Sequence, residues 1–145
     1  LPFGTVHLPD NEDNGPVLLL AGSTGFSQAK ALIEQWLQQG CPRPLLVYWG
    51  GRSPEDLYLH DWLCQLTQQH PLMRYVPVVS EDNAGWQGRT GFVHRAVLED
   101  VRDFTGMTVF GCGSPPMVYA AYDDFVAAGM QPEQLLSDVF DYAPR

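Results

Sequence analysis

The sequence predicts an α/β fold: an open, doubly wound sheet of five parallel strands in the order 3-2-1-4-5, with helices on both faces. Three observations carry this. Five short apolar runs, at 17–21, 45–49, 75–80, 108–112 and 135–139, alternate with stretches of helical periodicity. Several of these runs lack the polar alternation of a half-exposed strand, as expected where helices cover both faces of a parallel sheet. The first run ends in a small-residue turn, Ala21-Gly-Ser-Thr-Gly-Phe-Ser27, and an amphipathic helix follows at once. Strand, helix, strand in regular succession is the pattern of a doubly wound sheet, whose ligands sit at the carboxyl ends of the strands.

Taken in order, residues 1–15 form a prologue, an extended piece to Leu8 and a polar, turn-rich connector to Gly15. The domain proper runs over 16–145. After the first strand, a helix places Ala29, Leu32, Ile33, Trp36 and Leu37 on one face and stops at Gly40. The second helix opens at Ser53-Pro54-Glu55-Asp56, with an N-cap, an N1 proline and two acids on the positive end of the helix dipole. Its buried face is Leu59, Trp62, Leu63 and Leu66. A third, short helix spans about Val93 to Val101. The fourth starts at Pro115-Pro116, buries Val118, Ala121, Tyr122 and Phe125, and ends at Gly129.

Composition bounds the function. The 145 residues are 45% hydrophobic and 17% charged, a globular composition able to form one substantial core. The formal net charge is −9 and Lys30 is the sole lysine, which argues against nucleic acid as a partner. No apolar stretch approaches the roughly 20 residues that span a bilayer, and no basic-plus-apolar leader is visible, so no membrane partner is expected. A chain beginning at Leu1 reads as a processed or excised piece. Cys41, Cys64 and Cys112 show neither CxxC nor metal-ligand spacing, and an odd count suits the reducing cytoplasm. Cys64 falls on an apolar helix face and is expected in the core. The histidines His7, His60, His70 and His94 also lack metal-ligand spacing, so no metal site is expected.

The predicted strand order sets two strand-end turns side by side, Gly22–Phe26 and Cys112–Met117. Neither contains GxGxxG, which counts against the common dehydrogenase version of this fold. The chain instead resembles the C-terminal pyridine-nucleotide domain of the ferredoxin-NADP reductase superfamily, with the bacterial NAD(P)H:flavin reductases the nearest likeness. Four stretches carry the resemblance: Gly22-Ser-Thr-Gly25, Tyr48-Trp-Gly-Gly-Arg52, Ala84-Gly-Trp-Gln-Gly-Arg-Thr-Gly91 and Cys112-Gly-Ser-Pro-Pro-Met117. A partial fifth match is Leu136-Ser-Asp-Val-Phe140. The resemblance implies that residues 1–15 close a preceding flavin-binding barrel, and that 16–145 bind NADH or NADPH. In the complete protein, a hydride would pass from nicotinamide C4 to the N5 of FAD or FMN held mainly by that preceding domain. This chain alone would hold the nucleotide without finishing the reaction.

Roles follow position by position from the resemblance. Gly22, Thr24, Gly25 and Phe26 form the turn near the pyrophosphate and nicotinamide, with Thr24 offering a hydroxyl and Gly25 close backbone access. Cys112 stands where nicotinamide meets flavin, orienting the ring without acting as a covalent nucleophile; the bland alternative is a buried strand-end thiol. Gly113, Pro115 and Met117 complete that turn. Arg52 reaches the adenosine ribose or a phosphate, or else pairs on the surface with Glu55 or Asp56. Ser80-Glu81 stands where NADP-specific relatives carry Ser-Arg; a carboxylate there repels a 2′-phosphate and favours NADH. Asp138 is an acid near the nicotinamide and flavin, and Phe140 is a ring-facing aromatic. Trp49 and Trp86 either flank the adenine or serve packing. Two other readings compete: a reductase component passing electrons to an iron–sulfur centre or oxygenase, with an electron-acceptor protein as partner, and a non-catalytic nucleotide-sensing module.

Overall fold

Six parallel strands build one sheet in the order β4-β3-β2-β1-β5-β6. They are β1 (Val17–Ala21), β2 (Leu45–Gly51), β3 (Met73–Val79), β4 (Arg89–Thr90), β5 (Thr108–Cys112) and β6 (Leu135–Leu136). The structure, a computed structural model, describes residues 15–22, 25–41, 43–81 and 85–145. The prologue therefore lies outside the described residues up to position 14, as does Thr24.

Strand β1 sits at the centre, flanked by β2 and β5 with Ala21 level with Trp49 and Cys112. Its unbroken apolar run has a simple cause. Val17, Leu19 and Ala21 enter one core with Phe26, Ile33 and Trp36 of α1 (Phe26–Gln38), while Leu18 and Leu20 enter a second core. That second core is closed by Val93 and Val97 of α3 (Val93–Asp100) and by Val118, Ala121 and Phe125 of α4 (Pro115–Ala127). Burial on both faces removes the alternation that marks a strand facing water. The fully buried Trp36 also spends its indole N–H on the Arg43 carbonyl at 2.8 Å, tying the end of α1 to the start of β2.

The predicted order holds for the five predicted strands, and the sheet gains a sixth at its edge. Strand β4 is two residues long, too short and too polar to register as a hydrophobic run. The fifth predicted strand is shorter than expected, because Ser137 turns the chain. Its buried hydroxyl donates to the Gly111 carbonyl at 2.7 Å and accepts from the Val139 N–H at 3.2 Å, starting the short helix α5 (Val139–Tyr142). The second predicted helix is divided. Ser53 caps only a single 3₁₀ turn at Pro54–Asp56, Leu57 leaves helical geometry to bury its side chain, and α2 (His60–Gln69) starts afresh. Leu63 and Leu66 are buried as predicted; Leu59 and Trp62 pack half-exposed against the same core. Cys64 is also half-exposed rather than core, its thiol 3.6 Å from His60 Nε2.

Proline within β3 is tolerated for a positional reason. Pro77 pairs with Trp49 on one side, and β4 begins only opposite Val78, so no ladder bond is owed on the other.

Candidate functional site

The carboxyl ends of β1 and β5 meet through glycine. The Gly22 N–H donates to the Cys112 carbonyl at 2.9 Å, and the Gly25 N–H closes the turn onto Gly22 O at 3.1 Å. A β-carbon at Gly25 would stand 2.7 Å from Gly113 N and nearer still to the Cys112 carbonyl. Met117 fills the remaining gap, its sulfur 2.9 Å from where a Gly22 β-carbon would sit and 2.7 Å from that of Gly113. The two turns that the strand order placed together are thus in contact, backbone on backbone.

Two hollows flank this contact and share Ser114 as a common wall. The first, about 220 Å³, lies over β1, β2 and β3; Gly22, Arg52, Ser80, Phe92 and Met117 line it. The second, about 230 Å³, lies over α1 and α5; Gly25, Ser27, Gln28, Gly113, Asp138 and Tyr142 line it. Between them starts α1, with glycine at its N-cap and no side-chain cap on its first N–H groups. By contrast α4 opens on two prolines, which carry no N–H to offer. An anion at this junction is therefore served by the α1 end, where the dipole and uncapped donors coincide.

At the far rim of the first hollow, Arg52 and Glu81 extend from the ends of β2 and β3 and pair, with Nη2 and Nε at 2.9 and 3.1 Å from Oε1. Asp56 accepts the Arg52 backbone N–H at 2.9 Å, so the predicted alternative partner holds the main chain and Glu81 holds the guanidinium. The wall carrying Phe92 is set by a polar clamp. The Tyr48 hydroxyl, on a 3%-exposed ring, donates to Asp100 Oδ2 at 2.7 Å, and Arg89 of β4 reaches the same oxygen at 2.5 Å. Burial pushes the Tyr48 hydroxyl well above its ordinary pKa. Burial also pushes the Asp100 carboxyl up, but the bonds from Arg89 and Tyr48 outweigh it and hold the group below its ordinary range.

In the second hollow, Gln28 Nε2 donates to Asp138 Oδ2 at 2.7 Å, joining the first turn of α1 to the N-cap of α5. Beneath them Cys112 is 2% exposed, and burial together with the Asp138 charge pushes its thiol up to about 12. A thiol so held is neutral and no nucleophile.

The predicted residues thus divide. Gly22, Arg52, Ser80 and Met117 line the first hollow, and Gly25, Gly113 and Asp138 the second. Glu81 stands outside both, holding Arg52. Pro115 lines neither and serves as the first residue of α4. Phe26 does not face a ligand: it is fully buried, stacked 3.7 Å from the Trp49 ring. That stack also removes Trp49 from any adenine-flanking role, because the indole is sealed inside the core. Trp86 is half-buried, its Nε1 donating to the Arg89 carbonyl at 2.9 Å. Phe140 turns away as well, packing on Tyr119 and Tyr122 in a groove at the β6 edge. The aromatic beside Asp138 is Tyr142, 62% exposed. No motif or spacing in the sequence marks Tyr142, Gln28, Ser114 or Phe92 as lining residues.

A family model described as "Oxidoreductase NAD-binding domain" matches residues 19–123, from the middle of β1 into α4. The chain belongs to that family. Its resemblance to the ferredoxin-NADP reductase superfamily is borne out by its relatives. It is 40% identical over 139 residues to a CDP-6-deoxy-L-threo-D-glycero-4-hexulose-3-dehydrase reductase of Yersinia pestis, covering 96% of this chain and 41% of that one. It is 34% identical over 142 residues to an NAD(P)H-flavin reductase of Aliivibrio fischeri, covering 97% and 59%. Among solved structures, an Amycolatopsis cytochrome P450 reductase superposes with a TM-score of 0.80 at 32% identity, over 90% of this chain and 39% of the other. The chain thus spans less than two thirds of the length of each of these proteins. Among the described residues, no helix is long and apolar enough to cross a membrane.

Proposed function

We propose that this NAD-binding domain lays a nicotinamide dinucleotide across the carboxyl edge of its sheet. The adenosine half lies in the hollow of Arg52 and Ser80, the pyrophosphate at the α1 end, and the nicotinamide in the hollow of Asp138. The observation that carries this reading is the Gly25–Gly113 contact. With glycine at both positions neither turn puts a β-carbon at the crossing, so a single extended ligand can run from one hollow to the other past the Ser114 wall that they share.

In the complete protein, reduced nicotinamide supplies a hydride and a flavin held by a neighbouring domain accepts it. The residues of this chain bind and orient. Gly25 gives the ring close approach to backbone. Cys112 keeps a neutral, compact group under the ring without consuming the cofactor, and Asp138 fixes the ring edge. The exposed Tyr142 takes the place expected for Phe140 as the aromatic facing the flavin side. Arg52 reaches the adenosine ribose from the hollow, and the Glu81 carboxylate paired with it at the rim favours the free 2′-hydroxyl of NADH over a 2′-phosphate. The three free cysteines fit a reducing, cytoplasmic setting. The chain alone completes no turnover.

A second reading concerns where the electrons go. The relatives named as reductases of a dehydrase and of a cytochrome P450 support an acceptor protein, and the relative named as a flavin reductase supports free flavin. Calorimetric titration tests the first reading: NADH binds this chain, weakly, because the flavin side of the nicotinamide pocket lies in another domain. No heat with either NADH or NADPH at millimolar concentration would overturn it.

A further inference from the structure

One contact in the second hollow has no counterpart among the motifs. Gln28 and Asp138 lie 110 positions apart, yet the Gln28 amide donates to Asp138 Oδ2 at 2.7 Å. Gln28 sits in the first turn of α1, so its side chain is fixed by the same helix start that builds the glycine turn. Asp138 is the N-cap of α5 but makes no side-chain cap bond there, so its carboxylate is turned outward to α1 instead. An amide has no charge to lose, and its N–H occupies one of the roughly four acceptor positions of a carboxylate. Among the described residues no hydrogen bond engages the other oxygen, Oδ1, and Gln28, Asp138 and Tyr142 line the hollow together.

From this geometry we infer that Gln28 is a positioning residue that locks Asp138 as an acceptor for the nicotinamide carboxamide, so that the site selects the amide and rejects the corresponding acid. The inference rests on the proposed nicotinamide position in this hollow. A carboxamide NH₂ meets Oδ1 as a donor to a charged acceptor, a strong pairing. A carboxylate in its place has no hydrogen to give and carries a like charge, and like charges in contact cost both binding and orientation. The selection runs against the local background, because the uncapped end of α1 by itself favours an anion. Asp138 therefore decides the preference, and Gln28 keeps it aimed. Without Gln28, the carboxylate is free to rotate toward solvent or toward its own helix end.

The test is calorimetric titration of this chain with three probes: NAD⁺, nicotinic acid adenine dinucleotide, and ADP-ribose, which lacks the ring. The wild-type chain is expected to prefer NAD⁺ over the acid analogue by about tenfold, or about 1.4 kcal/mol. Asp138→Asn should bring the ratio to one or invert it, because an uncharged side chain leaves the helix end to favour the acid. Gln28→Leu should lower the ratio while the Asp138 charge remains, a change that loss of structure alone does not produce. ADP-ribose affinity should be the same in all three proteins and reports that each is folded. Equal affinity for the two dinucleotides in the wild-type chain, or a ratio that both substitutions leave unchanged, overturns the inference. Failure of ADP-ribose to bind the wild-type chain overturns the nucleotide-site reading itself. If Gln28→Leu fails to fold, the wild-type and Asp138→Asn ratios decide.

Discussion

Substituting Gly25 with alanine isolates steric approach from backbone strain. Gly25 has φ −98° and ψ 4°, a conformation that alanine adopts without entering the left-handed region. The unfolded chain also becomes stiffer, which favours alanine by about 0.4–1 kcal/mol. The added methyl, however, would stand 2.7 Å from Gly113 N and closer to the Cys112 carbonyl, both of them backbone atoms with no rotamer to yield. Overpacking of this kind costs about 1–3 kcal/mol, and the rigidity of the obstacle places it near the upper figure. The net loss is about 2 kcal/mol, which lowers the melting temperature by about 6–10 °C in a domain of this size. The relieving movement separates the β1 turn from the β5 turn, so NADH affinity should fall by about tenfold or more, beyond what the stability loss explains. Thermal melts and titration calorimetry on the same preparation check both. A Gly25→Ala chain as stable as wild type and with unchanged NADH affinity would show that the glycine contact does not shape the site. Gly40→Ala is the control, since that residue has φ +85° with nothing within 4 Å of the added methyl; its cost is conformational and its site intact.

Three further outcomes are expected. Glu81→Arg removes the partner of Arg52 and adds a cation at the proposed ribose position, so the NADPH:NADH affinity ratio should rise; an unchanged ratio places Glu81 away from the 2′ position. Cys112 ionises from 9.0 in the unfolded chain to about 12 in the fold, so the folded state holds its proton longer and stability falls as pH rises across that window. Denaturant melts from pH 9 upward should show a smaller alkaline loss in Cys112→Ala, and labelling of the wild-type thiol should require unfolding. Asp100 has the opposite sign. Its carboxyl is held below the ordinary 3.8, so its contribution is complete above that value and is lost as pH falls through the lower folded value. Tyr48→Phe, which removes one of its two side-chain donors, should cost about 1 kcal/mol at neutral pH and reduce that acid-side loss.

How much was legible in the sequence depended on how local the cause was. The central strand Val17–Ala21 is buried on both faces, so its composition alone declares it. The α1 face of Ala29, Leu32, Ile33 and Trp36 was readable for the same reason, as was the meeting of the two glycine turns once the strand order was set. The second helix misled because Ser53-Pro54-Glu55-Asp56 is a true cap, yet burial of Leu57 pulls the chain out of the helix one turn later. Strand β4 owes its place to Arg89 meeting Asp100, a contact that no local pattern announces. Tyr142 takes the part expected of Phe140 because the apolar run predicts an extended chain through Val139, whereas the chain turns into a helix at that residue. In the helix that forms, two residues differ by about 200° around the axis, whereas Asp138 and Tyr142, four apart, share a face. Trp49 stood at a strand end, where sequence cannot tell a ligand platform from a core stack; the ring of Phe26 lying on it decides the matter.

The sheet is broad, but its rims are stubs. Strands β4 and β6 are two residues each, and the stretch of β3 that β4 leaves uncovered carries Arg74 and Pro77. A passing extended chain finds few free backbone donors there, a charge facing water, and a residue with no N–H to share. Protection of this kind against edge-to-edge association matters most for a domain whose apolar strands are among the most β-prone segments in its sequence.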